Sequence, residues 1–215
     1  MSALLEGAEL RGVLAVPGSH EGREALRVRL APAVAAGLPG VDYVDQPTFV
    51  LLPIEFDRGV IEVDVAGSLL DDAPDYARGF AGLAFHVTDD AFESVYLRPT
   101  NGLRASPPPP RDQRALQYFA YPEHPFDRLR DERPGVYEAA ADIGEGSWHR
   151  LRVEVAADAV TASVDGAVVL RAAPLLPAAR GGRIGLWVDI GTTACFADLV
   201  VEAARETARS LRTRR

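Results

Sequence analysis

Hydrophobic and polar residues alternate along most of this chain, with the period of two that half-buried strands require. The pattern predicts strands near Gly12–Val16, Ala25–Leu30, Thr48–Phe56, Gly59–Ala66, Phe80–Thr88, Phe92–Arg98, Ala115–Tyr121, Val136–Ile143, Trp148–Ala156, Ala159–Val164, Ala167–Ala172, Arg183–Asp189 and Thr193–Val201. Turn residues punctuate them at Asp57-Arg58-Gly59, Asp89-Asp90, Gly144-Glu145-Gly146, Asp165-Gly166 and Gly181-Gly182. Asp165-Gly166 is the clearest hairpin signal, because Asp-Gly accepts the positive φ angles of a tight two-residue turn. No segment before the C-terminus has a convincing helical period. Short antiparallel strands in this number predict an all-β sandwich of two antiparallel sheets. Residues 1–201 read as one such domain, followed by a basic helix or tail over 202–215.

Alternation also sorts residues by face. Leu83, Phe85, Val87, Val95, Leu97, Ile184, Leu186 and Val188 make an aliphatic face. On the opposite parity lie Glu62, Asp64, His86, Tyr96, Arg98, Gln117, Tyr121, Trp187 and Asp189. If these strands are neighbours, the second set forms an aromatic-polar surface. Such a surface suits a sugar, whose ring faces stack on aromatics while its hydroxyls bond to carboxylate, guanidinium or amide groups. The same set equally fits the solvated outer face of a sandwich.

The second strand of the Gly79–Gly102 stretch leaves the sheet through Arg98-Pro99-Thr100-Asn101-Gly102, a polar exit that places Arg98 and Asn101 at its rim. Tyr121-Pro122-Glu123-His124-Pro125 brings an aromatic, a carboxylate and an imidazole between two prolines. A stiff loop of this kind can aim Glu123 or His124 as an acid or base. Ser106-Pro107-Pro108-Pro109-Pro110-Arg111 reads as a rigid polyproline loop at the rim of the sheet.

Composition narrows the partners. The formal net charge is −8, with 23 Lys and Arg against 31 Asp and Glu. That argues against a nucleic-acid binder, which needs a basic face. One exception is the tail from Arg205 to Arg215, which holds five arginines and one acid. The one cysteine, Cys195, excludes an intrachain disulfide and reads as a small buried hydrophobe. No Cys/His spacing suits a metal. No stretch reaches the length of a membrane span, and the first residues lack a signal-peptide pattern, so a cytoplasmic location is expected.

The succession GVIEVDVAG, FAGLAFHV, FESVYLRPTNG, LQYFAYPEHPFDRLR, WHRLRVEV, VDGAVVL and GGRIGLWVDIGTTACFADLVV resembles the concanavalin A-like lectin/glucanase superfamily. It is most similar to its laminin-G-like and 3-keto-disaccharide-hydrolase-type bacterial domains, over Thr48 to Val201. The resemblance implies a jelly roll, often with a concave sugar-binding sheet. Calcium occurs in relatives, but no complete set of oxygen ligands is legible here, so no cofactor is expected. Laminarinase-type hydrolases carry Glu-x-Asp-x-x-Glu on one strand. Glu62 and Asp64 supply the first two acids, and Gly67 stands at the third position.

Three functions follow as expectations. The first is a carbohydrate- or glycoside-binding module, with Arg98, Asn101, Gln117 and Asp189 bonding polar groups and Tyr96, Tyr121 and Trp187 stacking on ligand rings. The second is an enzyme, hydrolase or lyase, acting on a glycoside or small natural product through His86, Glu123 and His124. The third is an interaction protein that self-associates through a sheet face. The sequence does not decide the oligomeric state.

Overall fold

A computed structural model describes residues 5–176 and 181–204. The expected basic tail lies outside the described residues beyond Ala204. Among the described residues the strands are β1 (Glu9–Arg11), β2 (Val13–His20), β3 (Arg23–Leu30), β4 (Phe49–Phe56), β5 (Gly59–Leu69), β6 (Ala81–Val87), β7 (Phe92–Leu97), β8 (Leu116–Tyr121), β9 (Glu138–Ala139), β10 (His149–Val155), β11 (Val160–Val164), β12 (Ala167–Ala172), β13 (Gly182–Val188) and β14 (Thr192–Ala203). The paired strands run antiparallel in two seven-stranded sheets. The first has the order β1-β4-β13-β6-β7-β8-β9 and the second β12-β11-β10-β5-β14-β3-β2. This is the expected all-β jelly-roll sandwich, with one continuous core drawing on both sheets.

Several features depart from the sequence reading, and the strand expected over Val136–Ile143 shrinks to the two residues of β9. β1 was not expected, and β2 continues through His20 into a hairpin at Glu21-Gly22. Two short helices, α1 (Pro32–Ala35) and α2 (Phe126–Glu132), interrupt the strands. Residues 202–203 belong to β14 and not to a tail.

Registers in the first sheet place residues in rows across it. Leu186, Leu83, Val95 and Tyr118 form one row. The adjacent row is Trp187, Gly82, Tyr96, Gln117 and Glu138, on the opposite face. Gly82 is there because a side chain would collide with the Val95 carbonyl and come 2.5 Å from Tyr96 Cα. The gap lets the Tyr96 and Trp187 rings meet across it at 4.7 Å between centroids. Gly82→Ala is therefore expected to lower stability by about 1–3 kcal/mol, the usual cost of overpacking. A chemical denaturation curve with an unchanged midpoint would contradict this packing argument.

Glu62 and Asp64 do not share the aromatic face. Their strand β5 pairs with β10 and β14 in the second sheet. There they form an outward ion-pair group: Arg150 bonds Glu62 at 2.9 Å and Asp64 at 3.1 Å, and Arg23 holds Asp64 at 2.5 Å. Carboxylates held this way are surface structure, in keeping with the absent third acid at Gly67.

Candidate functional site

The row Trp187–Gly82–Tyr96–Gln117–Glu138 does not lie open to solvent. The connection from β3 to β4 crosses it, and the Trp187 indole N–H donates to the Gln46 carbonyl at 2.9 Å. Trp187 is 0% exposed. It also packs on Phe119, at 5.5 Å between ring centroids. The expected stacking role of Trp187 is corrected accordingly: the ring is part of the packing beneath the site.

What remains open is a cavity of about 250 Å³ at the end of β7, over the exit that Arg98 begins. Tyr76, Phe80, Tyr96 and Phe126 supply its aromatic wall. Arg78, Arg98, Arg111, Arg114 and Arg130 bring five guanidiniums, and Asp45, Asp189 and Asn101 complete the polar lining. These groups come from β7, α2, and the connections at 44–45, 76–80, 98–114 and 189–190.

Arg98 organises the floor. It is 4% exposed. It donates to Glu138 at 2.7 Å, to the Tyr96 hydroxyl at 2.8 Å and to Gln117 Oε1 at 3.1 Å. A buried guanidinium requires such partners, and its planar fork can address three acceptors at once. Arg130 bonds the same carboxylate at 2.5 and 3.1 Å, and Arg114 lies 3.4 Å from it. Burial opposes the charge on Glu138, but the bonds to Arg130 and Arg98 outweigh it and hold the carboxyl below its ordinary range. The guanidiniums of Arg98 and Arg130 lie 5.6 and 4.9 Å from the Phe126 ring centroid, so α2 is positioned by cation–π contact as well as by charge.

Asp189 shapes the opposite wall. Its carboxylate accepts the N–H groups of Val44 at 3.0 Å, Asp45 at 3.1 Å and Ile190 at 2.7 Å. Val44 and Asp45 have φ of 67° and 58°. That left-handed geometry is costly for a β-branched valine, and it directs two successive N–H groups at one anion. Asp189 thus positions the turn that carries Asp45. Asp45 is buried and accepts the Phe126 N–H at 2.6 Å. Burial pushes its carboxyl up to about 7.

Of the residues singled out for binding, Tyr96, Arg98, Asn101 and Asp189 border the cavity. Asn101 Oδ1 accepts from Arg111 at 2.9 Å, which ties the polyproline loop's exit to the site. Gln117 is fully buried beneath it, engaged with Arg98 and the Tyr118 and Tyr137 carbonyls. Tyr121 lines an adjoining hollow of about 350 Å³ with Pro122, Pro125 and Asp127. The two hollows share Val44 and Asp45.

None of the three acid-base candidates reaches the cavity. His86 sits at the far end of β6, at a bulge where its φ is 53° and the register to β13 shifts. Its ring nitrogens face Glu93 Oε2 at 2.7 Å and the Asp57 carbonyl at 2.6 Å. Both partners are acceptors, an arrangement that favours the protonated ring. Burial disfavours that charge, yet the bonds to Glu93 and Asp57 raise the His86 pKa above its ordinary value. Glu123 is exposed beside Arg128, and the His124 backbone closes the turn with Ala120. His149 is buried, donating to Asp165 and accepting from the Gly144 N–H.

No family model matches the chain, and no curated protein matches it. Solved structures do resemble it. A carbohydrate binding module, CBM66, from Bacillus subtilis superposes with a TM-score of 0.55 at 15% identity, over 89% of this chain and 95% of the module. Cellulose induced protein Cip1 gives 0.53 at 11% identity, over 91% and 88%. A Bacillus subtilis protein of unknown function with a galectin-like fold gives 0.52 at 12% identity, over 91% and 88%. The chain shares their jelly-roll fold. At these identities the likeness extends to architecture, and the site must be argued from its own residues.

Sequence reading missed Asp45, Tyr76, Arg78, Arg111, Arg114, Phe126, Arg130 and Glu138. The spacing of arginines in 111–114 and 128–133 is a signal of a sort, but only the folded connections show that it converges on Arg98.

Proposed function

We propose that the protein is a carbohydrate-binding module of the concanavalin A-like type and that its ligand site is the cavity above Arg98. The observation that carries this reading is the convergence, in one hollow, of aromatic rings with guanidinium, carboxyl and amide groups. Rings supply surfaces on which a sugar's apolar face stacks, and the polar groups match its hydroxyls. Rigid strands and the Glu138 network hold the floor in place before any ligand arrives, which limits the entropy cost of binding.

The test is a glycan panel followed by calorimetric titration of whichever sugars are retained. Tyr76 is 47% exposed, so Tyr76→Ala should fold and still remove part of the aromatic wall. It is expected to weaken binding about tenfold, equivalent to about 1.4 kcal/mol. Retained affinity in this variant would move the site elsewhere. An enzymatic reading has one observation in its favour, the Asp45 carboxyl titrating near neutrality in the same cavity as Asp189. It requires a new product in the same incubations; an intact sugar counts against it.

A further inference from the structure

We infer, on the reading that the cavity holds a sugar, that the sugar is acidic: its ligand is a uronic-acid-type ring whose carboxylate is taken by Arg78 and Arg111. Positive charge is in excess in the cavity. Five guanidiniums line the cavity. Glu138 is already shared among Arg98, Arg114 and Arg130. Asp189 is engaged by three backbone N–H groups, and Asp45 by the Phe126 N–H.

Arg78 and Arg111 have no carboxylate partner among the described residues. Arg78 donates to the carbonyls of Asp75 at 2.6 Å and Ala77 at 2.5 Å. Arg111 donates to Asn101 Oδ1 at 2.9 Å and the Thr100 carbonyl at 3.1 Å. Neutral acceptors orient these two forks without cancelling their charge. Both are only part-exposed, so water screens them less than it would on an open surface. Burial, together with the neighbouring charges of Arg111 and Arg98, holds the Arg78 guanidinium below its ordinary range. Five guanidiniums face only the Asp45, Asp189 and Glu138 carboxyls, so positive charge stays in excess in the hollow, and an anion relieves it.

The shape of the site selects the anion. Planar guanidinium forks match a carboxylate in bidentate fashion. The Tyr76 and Phe126 rings that share the hollow suit a pyranose ring and offer nothing to a free inorganic ion. At about 250 Å³ the cavity is smaller than the roughly 300–1,000 Å³ of drug-sized pockets, a volume that suits a single sugar ring. The polyproline loop acquires a purpose here. The turn at Pro109-Pro110 brings Arg111, the next residue, to the rim.

The experiment titrates the full chain with a glucuronate-terminated oligosaccharide and with its carboxyl-reduced, neutral counterpart, at low and high salt. Arg78→Gln and Arg111→Gln are run beside the parent, with Arg111→Lys as a variant that keeps the charge. The uronate is expected to bind at least about tenfold tighter than the neutral sugar, a margin that shrinks in high salt. Both Gln variants should lose that margin, the uronate losing far more affinity than the neutral form. Arg111→Lys should keep part of it. Equal binding of the two sugars would overturn the acidic-ligand inference and leave the carbohydrate reading standing. Preference for a sulfated or phosphorylated sugar would overturn the carboxylate assignment. Binding of neither, with no sugar retained from the panel, would overturn the carbohydrate reading itself.

Discussion

Glu138→Ala is expected to destabilise the protein by about 3–5 kcal/mol, the range for breaking a buried ion pair from one side. Glu138 is the one carboxylate that Arg98, Arg114 and Arg130 share. Removing it leaves Arg98 buried with a full charge and only the Tyr96 hydroxyl and Gln117 amide as partners. α2 loses the anchor that fixes Arg130, and with it the placement of Phe126 in the cavity wall. The pH dependence has a definite sign. Because the folded Glu138 pKa is lowered, its contribution is fully present above the unfolded value, about 4.5, and is lost as pH falls through the folded one. Urea denaturation at pH 7 and at pH 4 measures both effects. The variant should lie well below the parent at pH 7, and the gap should narrow in acid. An unchanged midpoint at pH 7 would mean that the three arginines are not held by this carboxylate.

Alternation carried far in this chain because most strands keep a clean period of two, even where both faces are buried. The aliphatic set Leu83, Val95 and Leu186 lies in a single row, as parity on separate strands required. Tyr96 and Arg98 were found for the same reason: both sit on one face at the end of a strand with no irregularity. Parity failed where the backbone broke period. The bulge at His86 turned that ring toward Glu93 and away from the face shared by Phe80 and Gly82. It also cannot report which sheet a strand joins, so Glu62 and Asp64 were grouped with residues of the other layer.

The cavity was legible only at its floor. Its walls are loop residues with no periodicity, and the partner of Arg98 is forty residues away on the two-residue strand β9. α2 escaped notice because Phe126–Glu132 is short and charged, with Leu129 its one buried residue. A seven-residue helix of that composition is held by its tertiary contacts more than by propensity. Nor could alternation show that the β3–β4 connection would cross the sheet and cover Trp187. That coverage leaves two adjoining hollows where a broad aromatic face was expected.

Glu93→Ala should cost about 3–5 kcal/mol at the other end of the same sheet, again as a buried pair broken from one side. Glu93 is 1% exposed, in a strand whose every residue is buried. One oxygen takes His86; the other takes the Tyr118 hydroxyl and the Leu175 N–H at 3.2 Å. Alanine removes the acceptor from His86, the Tyr118 hydroxyl and the Leu175 and Leu176 N–H groups in a space too well filled for easy relaxation. Glu93→Gln separates charge from shape. It preserves an acceptor for the hydroxyl and the amide but gives the imidazolium no counter-charge. The parent's His86 pKa is raised by folding, so its stabilisation is complete below about 6.5, the unfolded value, and fades as pH rises through the folded one. Glu93→Gln should erase that slope: parent and variant should differ most near pH 6 and converge at alkaline pH. Denaturation midpoints measured from pH 5.5 to 9 decide it. Parallel curves would mean that His86 is neutral in the folded protein, and would reopen its candidacy as a base. Convergence would instead assign the Glu93–His86 pair to holding the far end of the sandwich, leaving ligand chemistry to the arginines around Glu138.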